Sequence, residues 1–174
     1  MAMTIASMLQ NKALLAVAAM FSAAATNGLA QAPVVKLLTQ RALSEQAALS
    51  VAQGALEKCH ADGYHISVIV LDASGLIKVQ VRGDGTGPYM LEHGRRKAYT
   101  ALTFKRTSAE TAKAWAASPT PPPVIEGTVS APGGVPIKAG DDVIGAIGVS
   151  GAPGGDKDEA CAYAGIARIQ DLLK

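Results

Sequence analysis

The sequence predicts a single α/β (α+β) domain in which one antiparallel sheet carries helices on both faces. Three observations predict it. Two strand-like runs, residues 65–71 and 76–82, are separated only by the turn Asp72-Ala73-Ser74-Gly75, and a connection that short pairs its strands antiparallel. Residues 143–166 read as a strand, a glycine-rich turn and a helix start. Helical patterns stand at both ends of the domain and again between the strand pairs, enough to cover both faces of one sheet.

Thr39 is read as the cap of a first helix that runs to about Asp62, with Leu43, Ala47, Val51, Ala55 and Cys59 spaced for one apolar face and Gly63 as its stop. In the strand from His65 to Leu71, Ile66, Val68 and Val70 point one way while Ile69 and Leu71 point the other, so both faces are buried. The return strand is Leu76 to Arg82. A loop, Gly83 to Pro88, leads into a helix from Tyr89 to Lys105. Leu91, Ala98, Ala101 and Leu102 line one side of that helix, and Glu92, Arg95, Arg96 and Lys97 crowd the other. A short helix, Ala109 to Ala117, is expected to be capped by Ser108, and Pro119 to Pro123 then acts as a rigid connector. Glu126 to Ala131 is weakly strand-like, Val135 to Lys138 is a short strand, and Asp141-Asp142 turns into the last strand, for about five strands in all.

In that last unit Asp156 and Glu159 have the D-x-x-E spacing of a capping box. The backbone amides around Gly151, Gly154, Gly155 and Asp156 are the alternative use of the turn, as a loop that holds a carboxylate or phosphate. Two enzyme motifs fail here. The phosphate loop needs Lys and a hydroxyl residue where Asp156 and Lys157 stand, and the nucleophile elbow lacks its last glycine at Ala152, which leaves Ser150 as a loop residue. Asp158 and Glu159 are adjacent on a helix and do not face each other, as paired catalytic carboxylates must.

Composition narrows the function classes. With 174 residues, 49% hydrophobic and 4% aromatic, the chain can build one real core, and must build it from Ala, Val, Ile and Leu. A formal net charge of +2 without basic clusters leaves no footprint for nucleic acid. Lys12, the apolar run Ala13 to Ala25 and the small residues Gly28 and Ala30 read as an export signal cleaved after Ala30, which puts residues 31–174 in the periplasm or outside the cell. Disulfides can form there. Cys59 and Cys161 fall in two different helices, where they either bridge or serve as two small buried hydrophobes.

The segments HISVIVLDASGLIKVQVRGDGTGP, RRKAYTALTF, GGVPI and VIGAIGVSGAPGGDKDEACAYAGIARI, in that order, resemble the GlcG/HbpS family of heme-binding proteins over nearly all of the chain after the signal. The resemblance implies a profilin-like three-layer fold, assembly into homo-oligomers, and, for the HbpS branch, export. It also implies heme as cofactor, with heme degradation, iron handling or redox sensing beside a membrane sensor partner. Carried over by position, the family's threonine ligand for heme falls on Thr128, and the first glutamate of its exposed iron site falls on Glu92. The second glutamate is replaced by Arg95, a departure that puts the iron site in doubt.

A hydroxyl ligates heme iron poorly beside an imidazole, and His93 is the alternative ligand, near Arg95 and Arg96 whose guanidinium groups pair with propionates. His93 has the alternative of a solvated surface histidine, and Thr128 that of an ordinary strand residue. Lys97, Tyr99 and Thr100 occupy the family's K-A-x-T-A step, with polar groups that face a pocket or a helix that docks through its small residues. Arg82 and Asp84 either pair with each other or present their charges to a ligand. His60 reads as a helix-end cation and His65 as a strand-edge residue. The leading expectation is an exported, oligomeric heme-binding protein, leaning away from an enzyme. A second is an accessory binding protein or enzyme for a small carboxylated metabolite, closer to the GlcG branch, and a third is a structural oligomer without a ligand.

Overall fold

The computed structural model describes residues 35–120 and 125–174, so the export signal and part of the proline connector lie outside the described residues. Helix α1 spans Glu45–Ala61, and its cap is Ser44, whose hydroxyl accepts the Ala47 N–H at 3.2 Å. The expected cap at Thr39 is thus corrected: residues 39–44 have no regular structure, and Ser44 supplies the side-chain acceptor for the first turn. Gly63, at φ +79°, ends the helix as expected. Strands β1 (Ser67–Asp72) and β2 (Ile77–Arg82) form the hairpin. Asp72 Oδ1 closes its turn by accepting the N–H groups of Ser74 at 2.8 Å and Leu76 at 3.1 Å.

Helix α2 is Met90–Phe104 and helix α3 is Ser108–Ala116. Thr107, not Ser108, caps α3: its hydroxyl accepts the Glu110 N–H at 3.1 Å while Glu110 returns a carboxylate to the Thr107 N–H at 2.8 Å. Ser108 accepts the Gly134 N–H at 2.8 Å instead and ties α3 to the next strand. Strands β3 (Gly134–Ala139) and β4 (Asp142–Ser150) form the second hairpin, and α4 (Gly155–Ala167) closes the fold. Among the described residues the sheet has four strands in the order β2-β1-β4-β3, antiparallel throughout, rather than five. The missing strand is Glu126–Ala131, which Gly127 at φ +82° bends into a turn that Thr128 N–H closes on the Ile125 carbonyl at 3.1 Å.

Alternation along β1 builds two cores, one on each face. Val68 and Val70 join Val51, Ala55 and Ala162 beneath α1 and α4, while Ile69 and Leu71 meet Ala98 and Ala101 of α2. The result is the expected three-layer arrangement. A disulfide between Cys59 and Cys161 joins α1 to α4, which resolves the two readings of the cysteines in favour of a bridge.

Helix α2 lies almost against the sheet backbone because glycine faces glycine. A Cβ at Gly148 would come within 2.0 Å of the Gly94 carbonyl oxygen, and one at Gly134 within 2.0 Å of the Lys97 carbonyl oxygen. Neither contact is with a side chain that can swing away. Gly148→Ala will therefore push α2 off β4 and cost about 1–3 kcal/mol as an overpacking change, read as a lower urea midpoint at unchanged m-value.

Candidate functional site

The close seat of α2 on β4 brings the first two turns of the helix over the end of the strand and the glycine-rich turn after it. Between them lies a cleft of about 200 Å³, walled by Tyr89 just ahead of α2, by Met90 and His93 of α2, by Ser150, and by residues 151–155. Positions 90, 93 and 97 are spaced by three and four, so they share one side of α2.

Behind the cleft stands a buried ion pair. Lys97 Nζ donates to Asp158 Oδ2 at 2.7 Å and to the Val149 carbonyl at 3.1 Å, and Asp158 Oδ1 accepts the Ala152 N–H at 2.9 Å. Both side chains are almost wholly buried. Burial pushes the Asp158 carboxyl upward against the opposing pull of Lys97 and the Ala152 amide. Lys97 was expected among the exposed charges of α2 and is corrected to the interior, since it follows Gly94 and precedes Ala98 on the face that meets the sheet. The expected capping box at Asp156 and Glu159 is absent. The cap of α4 is Gly154, without a side-chain hydrogen bond, and Asp156 is exposed. Gly151 and Gly155 are small for packing reasons, because a Cβ would reach the His65 carbonyl at 2.4 Å or the Pro132 ring at 2.9 Å.

Ser150 is the last residue of β4, almost fully buried, and not a loop residue. Its hydroxyl lies 3.0 Å from His93 Nδ1 and donates to Met90 Sδ at 3.3 Å. His93 is partly buried, and burial first, then the Lys97 charge, lowers its pKa from the usual imidazole value, which disfavours the charged ring. It is not a fully solvated surface histidine.

The other expected site residues lie elsewhere on α2. Arg95 donates to Glu92 from Nε at 2.8 Å and from Nη2 at 2.9 Å, and Arg96 Nε donates to the same carboxylate at 2.7 Å. Hydrogen bonds from Arg95 and then Arg96 hold the Glu92 carboxyl down at about 2. Glu92 is thus engaged by two guanidinium groups where the iron site would be, and among the described residues no group of three His, Cys, Asp or Glu is placed to hold a metal ion. Thr100 is fully buried and spends its hydroxyl on the Arg96 carbonyl at 2.8 Å and the Val129 N–H at 2.9 Å, which pins the 125–129 turn to α2. Thr128 donates its hydroxyl to the Ile125 carbonyl at 2.7 Å. Arg95 lies near this turn, whereas His93, two positions earlier on the helix, faces the cleft. The structure therefore groups His93 with the glycine-rich turn, and Arg95 with the turn that carries Thr128.

Arg82 and Asp84 form no ion pair with each other. Asp84 lines a second hollow of about 250 Å³ with His60, Tyr64 and His65, and His65 is exposed, two residues ahead of β1. Sequence reasoning missed Met90 and Ser150 as partners of His93. The available signal was the spacing of Met90 three residues before His93; nothing local in the sequence marks Ser150.

A four-stranded antiparallel sheet between two helical layers, with a cleft where α2 meets a glycine-rich turn, defines a three-layer α+β domain with an opening at the end of its sheet. Residues 43–167 match the family of haem degrading protein HbpS-like chains, and this chain belongs to that family. A double glutamate-to-aspartate mutant of HbpS from Streptomyces reticuli is 41% identical, with a TM-score of 0.71, covering 79% of this chain and 97% of its own. A further HbpS crystal structure is also 41% identical, with a TM-score of 0.73 and coverages of 78% and 96%. The complex of PduOC with heme, at 24% identity, a TM-score of 0.67 and coverages of 74% and 96%, shares the fold. No curated protein matches the chain.

Proposed function

We propose that this chain is an exported, oligomeric heme-binding protein whose heme docks at the cleft between α2 and the glycine-rich turn. The observation that carries the proposal is His93, an imidazole whose Nδ1 lies 3.0 Å from the Ser150 hydroxyl at the wall of that cleft. Support comes from membership of the HbpS-like family. The cleft, at about 200 Å³, is smaller than the roughly 300–1,000 Å³ of pockets that enclose an organic ligand, so a porphyrin would extend past its walls and over the exposed ring of Tyr89. Covering that outer part is a role for a second copy in a homo-oligomer.

Heme supplies a redox-active iron when bound, and heme breakdown or redox sensing beside a membrane partner would draw on that chemistry rather than on placed acid and base groups. Iron handling through Glu92 does not form part of the proposal, because Arg95 and Arg96 neutralise that carboxylate.

Hemin titration of residues 31–174, with an unrelated protein as control for nonspecific uptake, tests the proposal. A saturable shift of the Soret band is expected, and a response no larger than the control's would overturn it.

A second reading, a binding protein for a small carboxylate, is favoured by one observation: no side chain caps α4 at Gly154, where the helix opens on the cleft. It predicts thermal stabilisation by short-chain carboxylic acids and none by hemin.

A further inference from the structure

Ser150 has one hydroxyl proton and two neighbours able to receive it, Met90 Sδ at 3.3 Å and His93 Nδ1 at 3.0 Å. If the proton goes to His93, Met90 is left without a donor and one hydrogen bond forms. If it goes to Met90, Nδ1 must carry its own proton and donate it to the Ser150 oxygen, and two bonds form from two protons. With Ser150 only 1% exposed, bulk water does not supply the missing partner. The second arrangement makes a hydrogen bond of each contact, including the one to the weakly accepting thioether, and it leaves the lone pair of the imidazole on Nε2.

Geometry sends that lone pair outward. Nδ1 is directed at a buried serine, so Nε2, the ring's other nitrogen, is turned away from that serine on a side chain that is partly exposed and lines the cleft. We infer that His93 Nε2, with its tautomer set by Ser150 and Met90, is the iron ligand of this chain, an inference that rests on the heme reading above and replaces Thr128 in that role. Histidines that bind metals commonly donate the second ring nitrogen to a fixed partner, which orients the ring and raises its basicity. Ser150 is that positioning residue here. The competing hydroxyl of Thr128 closes its own turn by donating to Ile125 and is intrinsically the weaker ligand. One protein ligand would suffice, because heme would bring its own nitrogen ligands for the iron.

Two measurements test the inference. In the ligand-free protein, nitrogen-15 NMR of the imidazoles should find the proton of His93 on Nδ1, and Met90→Leu should move it to Nε2 by releasing the Ser150 hydroxyl. A wild-type proton on Nε2 would overturn the inference. In hemin titrations, His93→Gly should change the Soret position and the iron spin state, with added imidazole restoring the wild-type spectrum, while Thr128→Ala should leave it in place. Ser150→Ala should weaken hemin binding by about tenfold or more with the fold retained by circular dichroism. A His93→Gly spectrum identical to wild type, with loss of the spectrum in Thr128→Ala, would return the ligand to Thr128 and leave heme binding intact. A wild-type protein that takes up no hemin overturns the heme reading itself.

Discussion

Lys97→Met will lower the unfolding free energy by about 3–5 kcal/mol, because it leaves the Asp158 carboxylate buried with a single backbone partner. The methionine fills most of the space of the lysine stem, so the loss is electrostatic rather than a cavity effect. Asp158 keeps the Ala152 N–H but loses its contact at 2.7 Å with the ammonium group. The double change Lys97→Met with Asp158→Leu should recover most of the stability, since a buried ion pair replaced as a unit is often neutral. Urea unfolding of the three variants reads both effects; a loss under about 1 kcal/mol in the single variant would show that water or another group reaches Asp158.

The pH dependence has a definite sign. Burial holds the folded Asp158 pKa above 3.8, so the folded state keeps this proton to higher pH than the unfolded chain does. Its contribution to stability therefore falls as pH rises through the interval just above 3.8 and is greatest in acid. In Lys97→Met that interval will move upward, and the variant will regain stability on mild acidification while the carboxyl takes up a proton.

Replacing both cysteines by alanine will cost about 4.7 kcal/mol through the unfolded state, since the bridge spans 102 residues and a closed loop of that length restricts the denatured chain strongly. Cys59 and Cys161 are fully buried, so a reductant will act on the native protein only through unfolding. The expected result is a large drop in urea midpoint for the double variant, with native far-UV circular dichroism under folding conditions. An unchanged midpoint would mean that the bridge does not form in solution.

The hairpin at residues 67–82 was legible because Asp72-Ala73-Ser74-Gly75 leaves an alternating pattern no other pairing, and α2 because small residues recur on one side of it. The two cysteines were less so: their positions on helices are local, but their meeting depends on α1 and α4 packing together through Gly54 and Gly165. The caps show the same boundary. Thr39, Ser108 and Asp156 each had a suitable side chain, yet Ser44, Thr107 and Gly154 hold the caps, because a cap is decided by where tertiary packing starts the helix.

The sequence by itself determined the class of the fold, its two hairpins, the glycine-rich turn and the family, because periodicity, turn chemistry and motif order are local along the chain; the strand count and the pairing of β1 with β4 came from the tertiary structure. Only the tertiary structure decided that Lys97 is buried with Asp158, that His93 meets Ser150 and Met90, and that Glu92 is taken by Arg95 and Arg96. The first two depend on α2 resting on β4 at a distance set by Gly94 and Gly148, a contact between residues far apart in the chain that no local pattern records. In the third, Glu92, Arg95 and Arg96 stand at i, i+3 and i+4 of one helix, a spacing visible in the sequence, and the structure shows both guanidinium groups donating to the one carboxylate.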